Sequence, residues 1–553
     1  MKLLPARKTI FSAILLTAIC VALIAWGGSR YQGDKHILHD LEIFAKVVEK
    51  IRSYYVDEVD THELVNEAIE NMLRDLDPHS QFLQGLEYED LMVSTRGEFG
   101  GVGMLISFRD NYPTVITPIE GTPAYRAGLR GGDQIVEIEG QATHGWSTQK
   151  AVKLLRGDPG TDVTFMVSRP GLKEPVEYQL TREIIVVKSV PFHGMFGDYG
   201  YIKISNFSKQ TRDELKETLE ELEGRQMKGL VIDVRSNPGG LLQAATEVSE
   251  LFLDRDKLIV YTKGRLSNSN QKYFSTNSRT HKGYPIVVML NMASASASEI
   301  FAGALQDWDL GFVVGQTSFG KGTVQTVFSL SDTEAIKLTT AKYYTPSGRN
   351  IHRDHGKFDS SRRTLTQAGS DTLSDDIASL RPSRTGEESD ASAPEEKPIF
   401  YTASGRIVYG GGGITPDLEF EPEMYTELQR NLEKDALFFS FAVKYATENK
   451  VTEDFEATEK ILEDFKTFLT EREFELDEEE FSKAENREYI TMAIEREIFS
   501  SNFGRDAMYR VVLEKDPEFQ RVLELLNKYP TLEKLFAYAE EQKSLKAARI
   551  EAE

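Results

Sequence analysis

Cysteine is almost absent from this chain of 553 residues: Cys20 is the only one. A disulfide framework is therefore excluded, as is a zinc site built on thiolates. Positive charge is also in short supply. Against 88 Asp and Glu stand 65 Lys and Arg, a formal net charge of −23. Without clustered cations the chain is a poor partner for nucleic acid, whose phosphates need them. Histidine is sparse, with nine in all, so a His-based triad has few candidates; His193, His281 and His352 are those in or beside the central segment. One long apolar run exists, Ile10–Trp26, behind a basic start of Lys2, Arg7 and Lys8. Residues 1–30 thus read as an export signal or an uncleaved membrane anchor, placing the rest outside the cytoplasm, in the periplasm. Thr-Ala-Ile before Cys20 is a poor lipoprotein processing site.

The length suggests three or four domains. Residues 36–95 have helical spacing, with Ile43, Val47 and Ile51 and then Leu64, Ala68 and Met72 in register. The run stops at "LDPHS", where His79 reads as a turn residue. Residues 96–182 are β-rich, with short strand runs (Thr114–Thr117, Gln134–Ile138, Val163–Val167) between glycine turns. This block, with its "GEFGGVGMLI" opening, its "AGLRGGD" turn and its later "RGDPGTDV" turn, resembles a PDZ domain. The resemblance implies that Gly101, Val102, Gly103 and Met104 form a loop whose N–H groups hold a peptide's terminal carboxylate, while the peptide adds as a strand. "GGVG" alone would read as a tight turn.

From 183 to 353 strands and helices alternate. "GYIKISNF", "GLVIDVRSN", "PIVVMLN" and "GFVVG" are nearly continuous apolar runs, the signature of strands covered on both faces. Residues 354–396 are rich in Ser, Thr, Asp and Arg and have too few apolar side chains to offset ordering entropy, so a flexible charged insertion is expected. The core resumes over 397–422. An acidic helical domain follows at 423–553, with Phe455, Ile461, Leu462, Phe465, Phe468 and Leu469 as a core-forming stripe.

Chemistry concentrates in "NMASASASEIFAGALQD", Asn291–Asp307. Ser296 and Glu299 fit a capping box at the start of a helix. A helix start also offers free N–H groups and a positive dipole end, which stabilise an oxyanion, so a nucleophilic serine suits the same place. Ala297 N–H would be one donor. A base is available in "GQTSFGKGTVQTVFSL": Lys321 between two glycines, with Thr323 and Gln325 on its face if the segment is extended. Gln325 could orient the lysine. The same stretch nearly matches a phosphate-binding loop, but Gly322 stands where the metal-binding hydroxyl belongs, and a strand rather than a helix follows.

In order along the chain come "YVDEVD", "LDPHS", the PDZ block, "DVRSNPGG", "SASASEIFAGALQD", "GKGTVQT" and "GITPD". Together they resemble the carboxyl-terminal processing, or tail-specific, serine proteases. The resemblance implies a multidomain α+β architecture in which an N-terminal helical segment and a PDZ-like β domain precede a layered α/β, crotonase-like protease core (183–353 and 397–422). It implies Ser296 as nucleophile and Lys321 as base, Gln325 beside the lysine, and N–H groups of Gly239, Gly240 and Ala297 as oxyanion hole. Asp307 is either a supporting residue or a plain helix-end acid. No metal or other cofactor is needed. Expected partners are proteins or peptides with free C-termini, with an adaptor protein, a homo-oligomer and membrane anchoring through residues 10–26 as further possibilities. The insertion and the acidic tail lie outside the shared pattern. A PDZ scaffold on an inactive core is the competing reading.

Overall fold

The computed structural model describes residues 36–277, 281, 283–353 and 397–552. The expected leader and the charged insertion lie outside them. The chain divides into a unit ending at Phe82 and one from Leu83 onward. In the first, helices cover 36–54 and Thr61–Arg74. Asp60 caps the second through its carboxylate, which accepts the His62 N–H at 2.8 Å. In "LDPHS", the Asp77 carboxylate accepts the N–H groups of His79 and Ser80, at 2.8 and 2.9 Å. His79 is thus a turn residue.

In the second unit, an antiparallel ribbon of Glu98–Gly101 and Glu183–Val186 brackets the PDZ block, so the chain enters and leaves it side by side. The PDZ sheet runs, in order, through Met104–Arg109, Tyr112–Pro118, Gln134–Ile138, Asp162–Ser168 and Val176–Thr181. Helix Thr148–Leu155, capped by Ser147, packs beside its first strand. Met104–Arg109 is an edge strand.

The α/β core is built on strands β1 (Phe192–Phe196), β2 (Tyr199–Lys203) and β3 (Gly229–Asp233), then β4 (Leu258–Gly264), β5 (Ile286–Leu290), β6 (Phe312–Gly315), β7 (Thr323–Ser329), β8 (Glu334–Tyr344) and β9 (Leu418–Glu419). The main sheet has the order β1-β2-β3-β5-β6-β9 and is parallel from β2 onward. Helices α1 (Thr211–Gly224), α2 (Leu242–Glu250) and α3 (Ala297–Asp307) cover one face. Side chains alternate across a strand. Ile232, Val288 and Leu290 therefore meet Leu215, Val248 and Phe301 on the helix side, while Val231, Val287 and Met289 point the other way. Those second-face residues are covered by the end of the chain: Phe519, Val522, Leu526 and Leu535, from helices Pro517–Lys528 and Leu532–Ala552. A smaller sheet holds β8 between β4 and β7.

The remaining C-terminal helices form a bundle around Phe438, Phe441, Phe465, Phe468, Ile490 and Ile494. The aromatic stripe read from the sequence is therefore core. This bundle also touches the PDZ sheet, where Ile116 packs on Ala436 and Phe439. The acidic tail thus has two jobs: a bundle against the PDZ block and a lid over the core sheet.

Candidate active site

The turn between β5 and α3 places Ser296 at the helix start with φ +55° and ψ −111°, in the left-handed half of backbone space. A non-glycine residue is rarely held there. What holds it explains the three serines. Ser294 and Ser298 are buried and Ser296 half-buried. The Ser294 hydroxyl donates to the Val234 carbonyl at 2.8 Å and accepts the Asn291 N–H at 2.9 Å. The Ser298 hydroxyl donates to the Asn237 carbonyl at 3.0 Å, which also accepts the Ala295 N–H. The outer serines thus tie the turn to the segment after β3, on both sides of Ser296.

Glu299 makes the second set of ties. Its carboxylate is fully buried and takes four donors. One oxygen accepts the Ser296 and Lys321 N–H groups at 2.7 and 3.0 Å. The other accepts the Ser318 hydroxyl at 2.5 Å and the Gly320 N–H at 2.8 Å. Burial raises its pKa against the lowering effect of these bonds. The Tyr343 hydroxyl donates to the Lys321 carbonyl at 2.6 Å and lies 3.1 Å from the Ser296 carbonyl. Burial, with Glu299 nearby, pushes that phenol well above its ordinary value. The segments carrying Ser296 and Lys321 are therefore stitched together twice through the main chain, once by the carboxylate and once by the phenol.

The glycine turn after β3 fits against Ser296. A Cβ on Gly239 would sit 2.7 Å from that of Ser296, and its φ of +104° suits glycine alone. The Gly239 N–H, however, donates to Asn237 Oδ1 at 2.9 Å. Among the described residues the N–H groups of Gly240 and Ala297 have no acceptor.

Gln325 follows Lys321 into β7, and its amide donates to Thr323 Oγ1 at 2.9 Å. These two side chains share a face, as alternation requires. Asp307 is engaged elsewhere: one oxygen pairs with buried Arg349 at 2.7 Å and the other accepts the Ser347 N–H at 2.9 Å. Its hydrogen bonds hold the "TPSGR" loop to the end of α3. His193 and His281 are committed to Glu221 and Glu223, each at 2.9 Å.

Below the turn, Asp233, Lys203 and Arg235 form a buried cluster that Asp516 and Glu518 join from the C-terminal helices. Arg235 Nη2 lies 2.7 Å from Asp516 and Nη1 2.9 Å from Glu518. Burial alone would raise the Asp233 carboxyl, but Arg235 and Lys203 hold it below the usual carboxylate range. Glu518 also accepts from the Gln316 amide at 2.6 Å, on the way to Lys321.

In the PDZ block only Val102 and Gly103 of the expected loop lie between strands, since Gly101 closes one strand and Met104 opens the next. The loop's carbonyls are occupied: Val102 O accepts the Ala124 N–H at 2.8 Å, and Gly103 O accepts the Ile119 N–H at 2.9 Å and the Thr122 hydroxyl at 2.8 Å. The Val102 and Gly103 N–H groups have no acceptor among the described residues. Arg156 pairs with Asp90 at 2.6 Å and lies over the Phe99 ring.

Sequence patterning marked Ser296, Lys321 and Glu299, the last only as a cap. It missed Asn237, Tyr343 and the two flanking serines. Asn237 stands inside "NPGG", where a buried Asn before Pro-Gly-Gly is a usable signal; for Tyr343 no local signal exists.

Three family models match the chain. "Peptidase family S41" covers residues 198–359, "PDZ domain" 114–169, and "Probable PDZ-protease, C-terminal helical domain" 428–485. The carboxy-terminal-processing protease of Bartonella bacilliformis is 37% identical over 351 residues, covering 62% of this chain and 80% of that one. The carboxy-terminal processing protease CtpB of Bacillus subtilis is 37% identical over 331 residues, covering 58% and 68%. Among solved structures, a photosystem II D1 C-terminal processing protease is 30% identical with a TM-score of 0.32, covering 56% and 89%. The Ser296 turn, the glycine turn against it and the preceding PDZ block belong to a serine-type endopeptidase. The chain is a member of the carboxy-terminal-processing protease family, within peptidase family S41.

Proposed function

We propose that this protease cuts protein substrates with a Ser296–Lys321 dyad after its PDZ domain has captured their C-terminal tails. The observation that carries the dyad is the Glu299 carboxylate, which joins the main chains of Ser296 and Lys321, residues 25 apart in sequence. Such a double tie is what a pair working as nucleophile and base needs, because catalysis depends on fixed geometry. Neutral Lys321 takes the Ser296 proton as Oγ attacks the scissile carbonyl. The oxyanion rests on the N–H groups of Gly240 and Ala297 at the start of α3. The C–N bond breaks, Lys321 returns its proton to the leaving amine, and an acyl-enzyme remains. Lys321 then deprotonates a water, which releases the product acid and restores Ser296. Gln325 helps orient the lysine from β7, the strand that Lys321 leads into.

Tail capture is supported by the unspent N–H groups of Val102 and Gly103, which suit a carboxylate, and by the edge position of Met104–Arg109, which suits an added strand. Residues 10–26 would act as export signal or inner-membrane anchor, tested by fractionating cells that express a C-terminally tagged chain. The main test is digestion of an unfolded protein by wild type, Ser296→Ala and Lys321→Ala. Cleavage by wild type alone is expected; undiminished cleavage by either variant overturns the dyad.

A further inference from the structure

The strand leaving Lys321 differs from the other edges of the two core sheets. β7 pairs with β8 only, and among the described residues its other edge carries no strand. An open edge presents unpaired N–H and C=O groups, and folded proteins blunt such edges by shortness, charge, proline or a cover. These devices are in use elsewhere in the core. β9, at one end of the main sheet, has two residues. β1, at the other end, is covered by the C-terminal helices, with Tyr509 stacked on Phe192 at 5.2 Å and Arg510 over Phe196. The outer strand of the small sheet, Lys272–Phe274, has three residues and begins with a lysine.

β7 has none of these protections. "TVQTVFS" is seven residues long, rich in β-branched side chains, and contains no charge, proline or glycine. Its outer half also exposes apolar groups, with Val327 at 41% and Phe328 at 45%. That composition on an open edge is an aggregation hazard. It is tolerable when a regular occupant covers the edge. The position of β7 says which one. Its first residue, Thr323, lies two residues past Lys321, and Tyr343 of the neighbouring strand fixes the Lys321 carbonyl. A chain laid along β7 is therefore led to the site that holds Ser296.

We propose that the free edge of β7 is the docking rail for the substrate backbone: the stretch beside the scissile bond adds to the small sheet as a further strand. The proposal rests on the dyad reading above and deepens it. Backbone groups would supply the recognition, so the substrate class is an extended, unfolded polypeptide whose main-chain amides are free, with little selection among side chains near the cut. Tail chemistry would be read at the PDZ domain and chain extension at β7.

The test uses the full chain and a peptide of about twenty residues with a free C-terminus, cut at a mapped bond. Single N-methyl groups are placed on successive residues on both sides of that bond, away from the last four. Strand addition predicts that kcat/KM falls roughly tenfold at every second position on one side and little at those between, since only alternate N–H groups face the rail. Losses without alternation on either side overturn the proposal. If the unmodified peptide is left uncut by wild type, or is cut equally by Ser296→Ala, the dyad reading falls and the proposal falls with it. Two variants give an independent check. Thr326→Pro and Val327→Pro remove N–H groups that face opposite edges, so one breaks the ladder to β8 and the other leaves it whole. The variant that keeps the wild-type Tm is expected to bind tails normally and to lose at least tenfold in kcat/KM on the long peptide. Full activity in that variant also overturns the proposal.

Discussion

The turn that carries Ser296 and the Val102–Gly103 loop of the PDZ block differ in what holds them in place. Around Ser296 side chains do most of the holding, and the N–H groups of Gly240 and Ala297 are left without an acceptor among the described residues. Ser294, Ser298, Asn237, Glu299 and Tyr343 all spend their donors or acceptors on holding main chain in place. Around Gly103 the carbonyls are committed while two N–H groups wait. Under the proposed function the difference follows from the two tasks, and at both places the waiting N–H groups would meet an oxygen that the substrate brings. Chemistry gains from groups fixed before the substrate arrives, because reorganisation during reaction is costly. Capture gains from unspent donors, because a buried N–H without a partner favours any carboxylate that reaches it.

The strongest way to break this comparison is to remove the proposed nucleophile. Ser296→Ala should lower peptide cleavage by roughly 10⁵-fold while tail-peptide affinity, followed by fluorescence anisotropy, stays unchanged. Coupled losses in both would mean that the two regions are not separate devices. The next largest effect is expected from Glu299→Gln, which keeps size and shape but puts an amide NH₂ where one oxygen accepts two donors. A fall in kcat of about 10²-fold, with KM nearly constant, is the expected outcome, since a small displacement of reacting groups has that cost. A rise in KM alone would place Glu299 in substrate binding instead. Amidating the peptide's C-terminus probes the other side. Losing a charge-assisted bond should raise KM about 10- to 100-fold and leave kcat unaltered; equal KM values would remove Val102 and Gly103 from carboxylate capture.

The smallest effect on activity concerns the foundation below the turn. Asp233→Asn takes the charge partner from Arg235 and Lys203 and should lower stability by about 3–5 kcal/mol at neutral pH. The Asp233 carboxyl is held below its ordinary range in the folded chain. Its contribution is therefore present above the unfolded carboxyl's pKa and lost as pH falls through the folded one. Denaturant midpoints of wild type and variant should accordingly converge toward acid. A gap that stays constant with pH would show that the network acts through packing.

What the sequence could and could not reveal follows from range. Continuous apolar strands announced a sheet covered on both faces, because that pattern is local; that Phe519 and Leu526 supply the second cover is a contact across nearly the whole core and leaves no periodicity to read. The Ser296–Glu299 spacing announced a capping box, and the Ser296 N–H does reach Glu299. The same carboxylate also holds Lys321 and Ser318, which no helix rule foretells. Asp307 could be read as a helper or a helix-end acid, and only the fold brings Arg349 to it. Between the two glycines of the turn, spacing could not choose, whereas the Asn237 side chain takes the Gly239 N–H and leaves that of Gly240.

Arg235 meets Asp516 and Glu518 across 281 and 283 residues of chain. Translation runs in one direction, so these two acids and the helix they begin are made well after Ser296 and Lys321. A growing chain that already contains Ser296 and Lys321 still lacks the cover of its sheet and the anchor beneath its glycine turn. One face of the core sheet therefore stays bare until the segment carrying Phe519 and Leu526 has followed.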